Sequence, residues 1–502
     1  MNILIRADAS LRIGSGHVMR CLTLARQLQL CGAQITFACR ELAGNLNQQI
    51  IQAGFALLSL PDLPGGEPAS MSAETLIDQR EDWLAVMAAA GVAAEWDWVV
   101  VDHYGLDAGW EQLALVHCRQ LLALDDLANR PHVAQLLLDS GFYPDPAQRY
   151  GGLLAPATHL LAGPKYALLR PEFAERRLQC VRRQADVSRL LVSFGGVDRF
   201  GATVAVLTAL THRDMTGLQL DCVVNSGFAG LDEIERLAAE HAWLRLHYGT
   251  SDMAGLMAAA DIFIGAGGGT SWERCCLGMP AIVLTLAANQ QPGASSLAEA
   301  GVQLYLGRFE DFQPEQLLDA LNLLQHNRYL RQSLSLQASR LLDGRGSERV
   351  AARLVPQALT LRRAQEADSS NLLAWRNADI NRRYSGDGQL LAAQTHQLWF
   401  ARTLADPDRA LLIAERDGQP VGVLRYDRLN DRATVSIYLV PGRHGSGLGV
   451  GLLAAGRQWL RREWPEIRYL DADIHPDNTA SQTIFGNEGF QLAKLGYVMN
   501  LG

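Results

Sequence analysis

The chain is expected to fold as two doubly wound, Rossmann-like α/β lobes followed by a smaller α+β domain. Three observations carry this. Apolar runs of strand length alternate with helical stretches from the N-terminus to about Ala300, which indicates parallel sheets covered by helices on both faces. Two of those strands run into glycine-rich turns that open helices, at Gly14-Ser15-Gly16 and at Gly265-Ala266-Gly267-Gly268-Gly269. From Leu359 onward the pattern turns to successive antiparallel strands, with Asp417-Gly418 as a hairpin turn. A length of 502 residues also asks for several domains. They are placed at residues 1–170, 171–350 and 358–502.

The first lobe opens with a buried strand at Asn2-Ile3-Leu4-Ile5, a small polar loop, and a helix from Val18 to Leu30. His17 stands at the helix start, where free N–H groups and the helix dipole favour an anion. Arg6, Asp8, Arg12 and Arg20 are its expected neighbours on the loop. An imidazole at such a place is a candidate acid or base, and equally a residue bonded to nearby backbone. The second strand ends in Cys39-Arg40 rather than in an acid, which argues against a dinucleotide site. Later strands end in Asp102-His103-Tyr104 and Asp125-Asp126, so these residues are expected on the same rim as His17. An N-cap is an equal alternative for the Asp125-Asp126 pair.

Residues 172–189 are charged and follow Arg170-Pro171, so they are expected to link the lobes. Ser72-Ala73-Glu74-Thr75 is expected to open a helical stretch. The second lobe repeats the alternation, with strands at Arg189 to Phe194 and Asp261 to Ile264. Gly195-Gly196-Val197-Asp198 follows the former of these, and Gly267-Gly268-Gly269 follows the latter.

Composition narrows the class. Hydrophobic residues are 48% and charged residues 20%, as for a chain with a large core. A net charge of -8 gives no support for nucleic-acid binding. Lys165 and Lys494 are the only lysines, which leaves few places for a catalytic amine. The eight cysteines contain no C-x-x-C pair, so neither a zinc site nor a disulfide framework is expected, and no metal is anticipated. Arg6, Asp8 and Arg12 interrupt the N-terminus, and no apolar run reaches the about 18 residues of a membrane helix. A cytoplasmic protein with no membrane insertion is expected; the oligomeric state is not legible.

The run Ile264 to Glu273, followed by Gly278-Met279-Pro280 and Asn289-Gln290-Gln291, resembles the two-lobed (GT-B-like) nucleotide-sugar glycosyltransferases. The resemblance implies that Gly268 and Gly269 hold a diphosphate and that Glu273 accepts from ribose hydroxyls. It also implies that Asn289 and Gln290 face the sugar. Arg6-Ala7-Asp8-Ala9, Gly14 to Cys21 and Asp102-His103-Tyr104-Gly105 narrow this to a resemblance to the PseG family of UDP-sugar hydrolases, over about residues 1–345. That family splits UDP-2,4-diacetamido-2,4,6-trideoxy-β-L-altropyranose with water. It implies His17 as the catalytic residue, with Gly16, Arg20 and Tyr104 on the substrate.

The last domain carries His444-Gly445-Ser446-Gly447-Leu448-Gly449 at a helix start and Asn478-Thr479-Ala480-Ser481 further on. This resembles the GNAT acetyltransferases. The resemblance implies acetyl-CoA as co-substrate, held by Leu439, Val440, His444, Gly445, Gly447, Gly449, Asn478 and Ser481. His444 stands where Arg or Gln is usual. Phe485 stands where many members carry a Tyr that protonates the leaving thiolate, which leaves Tyr438 or water for that task. Glu415 and Asp427 are candidate bases, though a solvated surface role suits both. Leu373 to Arg383 resembles the acceptor side of the PseH type. The fusion implies consecutive steps of pseudaminic acid synthesis, with a UDP-linked amino sugar as substrate.

Overall fold

The computed structural model describes residues 1–62, 77–91, 93–179, 186–195, 198, 200–224, 228, 230–250, 252–355, 359–385, 388–445, 447–488 and 490–491. The expected helix start at Ser72, the glycine Gly196 and the loop residue Ser446 lie outside these. The chain forms two compact units, Met1–Ala351 and Ala352–Gly502.

The first unit holds two parallel sheets. The first is built from β1 (Asn2–Ala7), β2 (Gln34–Arg40), β3 (Ala56–Leu60), β4 (Trp96–Asp102), β5 (Cys118–Leu124), β6 (Leu136–Asp139) and β7 (His159–Ala162). Their order is β3-β2-β1-β4-β5-β6-β7. The chain winds outward from β1 in one direction and from β4 in the other. The crevice of such a sheet opens at the C-terminal ends of the two strands where the order reverses. That point brings the loop after β1 against the end of β4, with Ala7 in register with Asp102.

The second sheet repeats the device. Its strands are β8 (Arg189–Ser193), β9 (Gln219–Val224), β10 (Leu244–Tyr248), β11 (Ile262–Ala266), β12 (Ala281–Thr285) and β13 (Leu304–Arg308). The order β10-β9-β8-β11-β12-β13 reverses between β8 and β11, so the glycine loop after β11 also lies at a switch point. Side chains alternate between two cores. Leu190, Val192, Ile262, Ile264, Ile282 and Leu284 enter one, and Leu191, Phe263, Ala281 and Val283 the other. Strands buried on both faces must be apolar at every position, which is why they read as unbroken runs.

Within the segment expected to link the lobes, residues 171–179 form helix Pro171–Gln179. One expectation is corrected here. Helix Gly16–Leu30 begins two residues before Val18, so His17 lies inside the first turn. Asn289 and Gln290 fall in the 3-10 turn Ala288–Gln290.

The second unit is a single sheet of β14 (Thr360–Arg363), β15 (Arg409–Arg416), β16 (Gln419–Leu429), β17 (Arg432–Leu439) and β18 (Tyr469–Asp471) in sequence order. The first four pair antiparallel, and β17 pairs β18 in parallel. One face packs on helix Leu448–Glu463 through Leu412, Leu424, Tyr426, Leu452 and Trp459. The other packs on helices Ser369–Asn377 and Ala393–Ala405 through Leu372, Phe400, Leu411, Ile413 and Val423. β18 ends at Asp471.

Candidate active sites

The first site is assembled where β1 and β4 adjoin. Gly14, at φ +85°, makes the turn after β1 and lets helix Gly16–Leu30 start beneath the strand ends. His17 is buried, and its Nδ1 lies 2.6 Å from Asp102 Oδ1. Asp102 is fully buried and binds Arg20 twice, from Nε to Oδ2 and from Nη2 to Oδ1, each at 2.6 Å. Cys21 Sγ donates to the same carboxylate at 3.5 Å. Burial alone would raise the Asp102 carboxyl, but Arg20 and His17 beside it hold it well below the usual range. It is therefore an acceptor only, and at 2.6 Å it requires the proton on His17 Nδ1. In neutral His17 the lone pair then sits on Nε2.

A second carboxylate closes the cluster. Arg20 Nη1 binds Asp126 at 3.1 Å, and the Tyr104 hydroxyl donates to Asp126 at 2.7 Å. The Tyr104 ring stands edge-on to His17, with centroids 4.6 Å apart. Burial, with Asp126 beside it, raises the Tyr104 phenol well above its ordinary value, so it stays a donor. His17, Arg20 and Tyr104 are thus brought together. A Cβ on Gly16 would meet nothing within 4 Å, so the space over that residue is open.

The reading of His17 as a backbone-bonded helix residue is overturned, since its partner is a side chain. Arg6 and Asp8 are not its neighbours. Arg6 points into the fold, where it binds Asp82 at 2.7 Å and Asp8 at 2.8 Å. Arg40 binds the same Asp82 at 2.7 Å, and Trp110 donates to it at 3.0 Å. His103 belongs to that network rather than to the rim. Its Nδ1 accepts from the Gly105 amide, and its Nε2 lies 3.5 Å from Asp8. Asp125 is neither on the rim nor a helix cap. It is buried, accepts from the amides of Leu127 and Ala128, and pairs with Arg130 at 2.9 Å. Arg12 is exposed.

In the second lobe, Gly269 caps helix Thr270–Cys276. The first amides of that turn, Ser271 and Trp272, already donate to the carbonyls of Gly268 and Gly269. Glu273 faces Arg170 at 3.6 Å, and Arg170 also binds Glu172 at 3.2 Å. Burial outweighs the attraction of Arg170 and pushes the Glu273 carboxyl up to about 7. Gln290 Oε1 accepts from the Leu286 amide at 3.0 Å, which ties the turn to the end of β12. Asn289 is exposed.

The second unit places its residues around the start of helix Leu448–Glu463. Gly447 caps it at φ +77°, a conformation that favours glycine. A Cβ on Gly449 would lie 2.7 Å from Ile484 Cδ1, so helix Thr479–Asn487 packs directly on the first turn of helix Leu448–Glu463. Asn478 caps that helix, accepting from the Ser481 amide at 3.1 Å. Asn478 and Ser481 thus have a structural task beside the expected one. The Leu439 carbonyl accepts from Asn381, and the Val440 amide donates to Val421 at 3.0 Å. His444 Nε2 lies 2.9 Å from Asn381 Oδ1.

Phe485 is a core residue, edge-on to Phe490, and has no proton to give. Burial raises the phenol of Tyr438, despite Arg376 and Arg425 nearby. Glu415 is bound by Arg362 at 2.7 Å, and Asp427 lies between Arg425 at 2.9 Å and Arg409 at 3.4 Å. Among the described residues, no group of three or more His, Cys, Asp and Glu could hold a metal, and no helix is long and apolar enough to cross a membrane.

Sequence reasoning set Asp102 and Asp126 on the rim without partners and passed over Asn381. The spacing of His17 and Arg20, three apart on one helix face, was the usable signal for a shared carboxylate.

Fold and family matches together define the class. Residues 219–344 match the glycosyltransferase family 28 C-terminal domain, and residues 358–491 match the acetyltransferase (GNAT) domain. The chain is an enzyme of two parts, a GT-B-like two-lobed region and a GNAT-type domain. Among individual relatives, it is 31% identical over 196 residues to the spore coat polysaccharide biosynthesis protein SpsG of Bacillus subtilis. That match covers 39% of this chain and 58% of the relative, less than two thirds of its length. It is 25% identical over 305 residues to the UDP-2,4-diacetamido-2,4,6-trideoxy-beta-L-altropyranose hydrolase of Campylobacter jejuni, covering 61% of this chain and 98% of the relative. An uncharacterized protein of Methanocaldococcus jannaschii is 22% identical over 530 residues, covering 99% of this chain and 98% of the relative.

Proposed function

We propose that residues 1–351 hydrolyse UDP-2,4-diacetamido-2,4,6-trideoxy-β-L-altropyranose to UDP and the free sugar. The GNAT domain would supply that substrate, N-acetylating the preceding UDP-linked 4-amino sugar with acetyl-CoA. The two activities are then consecutive steps of pseudaminic acid biosynthesis in the cytoplasm. The observation that carries the reading is His17 held by Asp102 at 2.6 Å, in a region similar to a hydrolase along 98% of that relative's length.

In this reading a water oxygen attacks the anomeric carbon while His17 Nε2 takes its proton. The bond from that carbon to the UDP oxygen breaks, and UDP leaves with the electron pair. Asp102 stabilises the imidazolium that forms. Gly16 leaves room for the sugar, and Arg20 and Tyr104 flank it. Gly268, Gly269, Glu273, Asn289 and Gln290 hold the nucleotide side. In the GNAT domain the sugar amine attacks the thioester carbonyl and the thiolate leaves as CoA. Tyr438 is the phenol on hand to protonate it, and the proton the amine nitrogen loses on forming the amide returns to that phenol through solvent. Leu439, Val440, His444, Gly445, Gly447, Gly449, Asn478 and Ser481 line the acetyl-CoA side.

The match of residues 219–344 to a glycosyltransferase domain favours a second reading, in which the first unit transfers the sugar to an acceptor in a related nonulosonic acid pathway and the GNAT domain acetylates another amino sugar. NMR of the chain with the UDP-4-amino sugar and acetyl-CoA separates the two. Free UDP and the free diacetamido sugar, without added acceptor, support hydrolysis. UDP release only on addition of an acceptor supports transfer.

A further inference from the structure

Asn381 lies in the short helix Asp379–Arg382 and is 8% exposed. Its Nδ2 donates to the carbonyl of Trp375 at 2.8 Å and to that of Leu439 at 3.0 Å. Its Oδ1 faces His444 Nε2 at 2.9 Å. The amide cannot be turned over, because its oxygen would then face two carbonyl oxygens. Oδ1 is therefore an acceptor, and His444 must donate from Nε2. One side chain thus sets the tautomer and ring orientation of the residue that opens the glycine loop.

The same amide joins three segments. Trp375 belongs to helix Ser369–Asn377, Leu439 ends β17, and His444 leads into helix Leu448–Glu463. The strand end is held from its other side by the Val440 amide on the Val421 carbonyl. A loop fixed before its ligand arrives loses less conformational freedom on binding. We propose that Asn381 is a positioning residue for acetyl-CoA: it holds His444 and the glycine loop in the arrangement that receives the cofactor, and ties that loop to the segment expected on the acceptor side. The inference rests on the reading of this domain as acetyl-CoA-dependent.

Calorimetric titration of the full chain with acetyl-CoA tests it without knowledge of the acceptor. Asn381→Ala is expected to weaken binding about tenfold, the scale of one buried hydrogen-bonded anchor. His444→Ala should weaken it by a similar factor, and the double variant by little more than either alone, because both remove one tie. Melting curves check that each variant is folded. If Asn381→Ala does not fold, Asn381→Asp takes its place, since it keeps an acceptor for His444 but sets an oxygen against two carbonyls. Unchanged affinity in a folded Asn381 variant, or fully additive losses, overturns the proposal. A wild-type chain that does not bind acetyl-CoA overturns the acetyl-CoA reading itself, and the proposal with it.

Discussion

His17 Nδ1 lies 2.6 Å from Asp102 Oδ1, a contact between residues 85 positions apart that only the adjacency of β1 and β4 makes possible. Arg20, one helical turn on from His17, grips the same carboxylate with two bonds. The arrangement keeps Asp102 charged, puts the proton on Nδ1 and leaves the lone pair on Nε2, the atom that takes the water proton in the proposed reaction. Asp102→Asn offers a neutral amide, donor as well as acceptor, in place of the acceptor-only carboxylate and unsettles that tautomer. The turnover number for UDP release is expected to fall at least about a hundredfold, with UDP affinity within about twofold of wild type. Steady-state kinetics beside UDP calorimetry check this; a change confined to KM would contradict it.

Glu273 supplies a pH test on the nucleotide side. Its carboxyl is pushed up to about 7, so it is protonated below that pH and ionised above it. In the proposed reading a Glu273 carboxylate accepts two ribose hydroxyl bonds; as an acid it has less to offer. UDP affinity is expected to rise severalfold from pH 6 to pH 8 by calorimetry, and Glu273→Gln should remove most of that rise.

His132 tests stability. It lies 2.6 Å from Glu111 and 3.7 Å from Asp125. Burial alone would lower it, but Asp125 and Glu111 prevail and push it up to about 9. A folded value above the ordinary 6.5 means that the protonated form stabilises the fold. That contribution is full below about pH 6.5 and is lost as pH rises through about 9. Its size is at most about 3.4 kcal/mol at 1.36 kcal/mol per unit. Urea midpoints should fall between pH 6.5 and 9, and His132→Gln should flatten that part of the profile.

Gly456 tests packing in the GNAT domain. A Cβ there would run into the Tyr426 hydroxyl and lie 2.5 Å from Leu424 Cδ2, so helix Leu448–Glu463 would have to move off the sheet. Gly456→Ala is expected to destabilise that domain by about 1–3 kcal/mol, read as a drop in its melting temperature.

Much of the fold was legible because strands buried on both faces leave an unbroken apolar run, as in Trp98 to Val101 and Ile262 to Ile264. β7 is four residues long, His159–Ala162, too short for such a signal. Of the first site, His17 and its glycines stood out, and Asp102 was legible as a polar strand end. Their pairing was not, since it depends on which strands adjoin. Arg6 and Asp8 misled because polarity next to a glycine loop resembles a rim. Here it is a buried ion network, in which Asp82 from a distant helix neutralises Arg6 and Arg40. Asn381 carried no signal, since an asparagine acts through its position and its sequence neighbours do not reveal it.

The division of labour between the two units is tested most directly by His17→Phe. The variant and the wild-type chain are each given the UDP-4-amino sugar and acetyl-CoA, and UDP is followed by phosphorus NMR while CoA release is followed with a thiol reagent. Loss of UDP release with CoA release at the wild-type rate is the predicted result. UDP release that survives the substitution, or equal loss of both activities in a folded variant, would contradict the assignment of hydrolysis to His17.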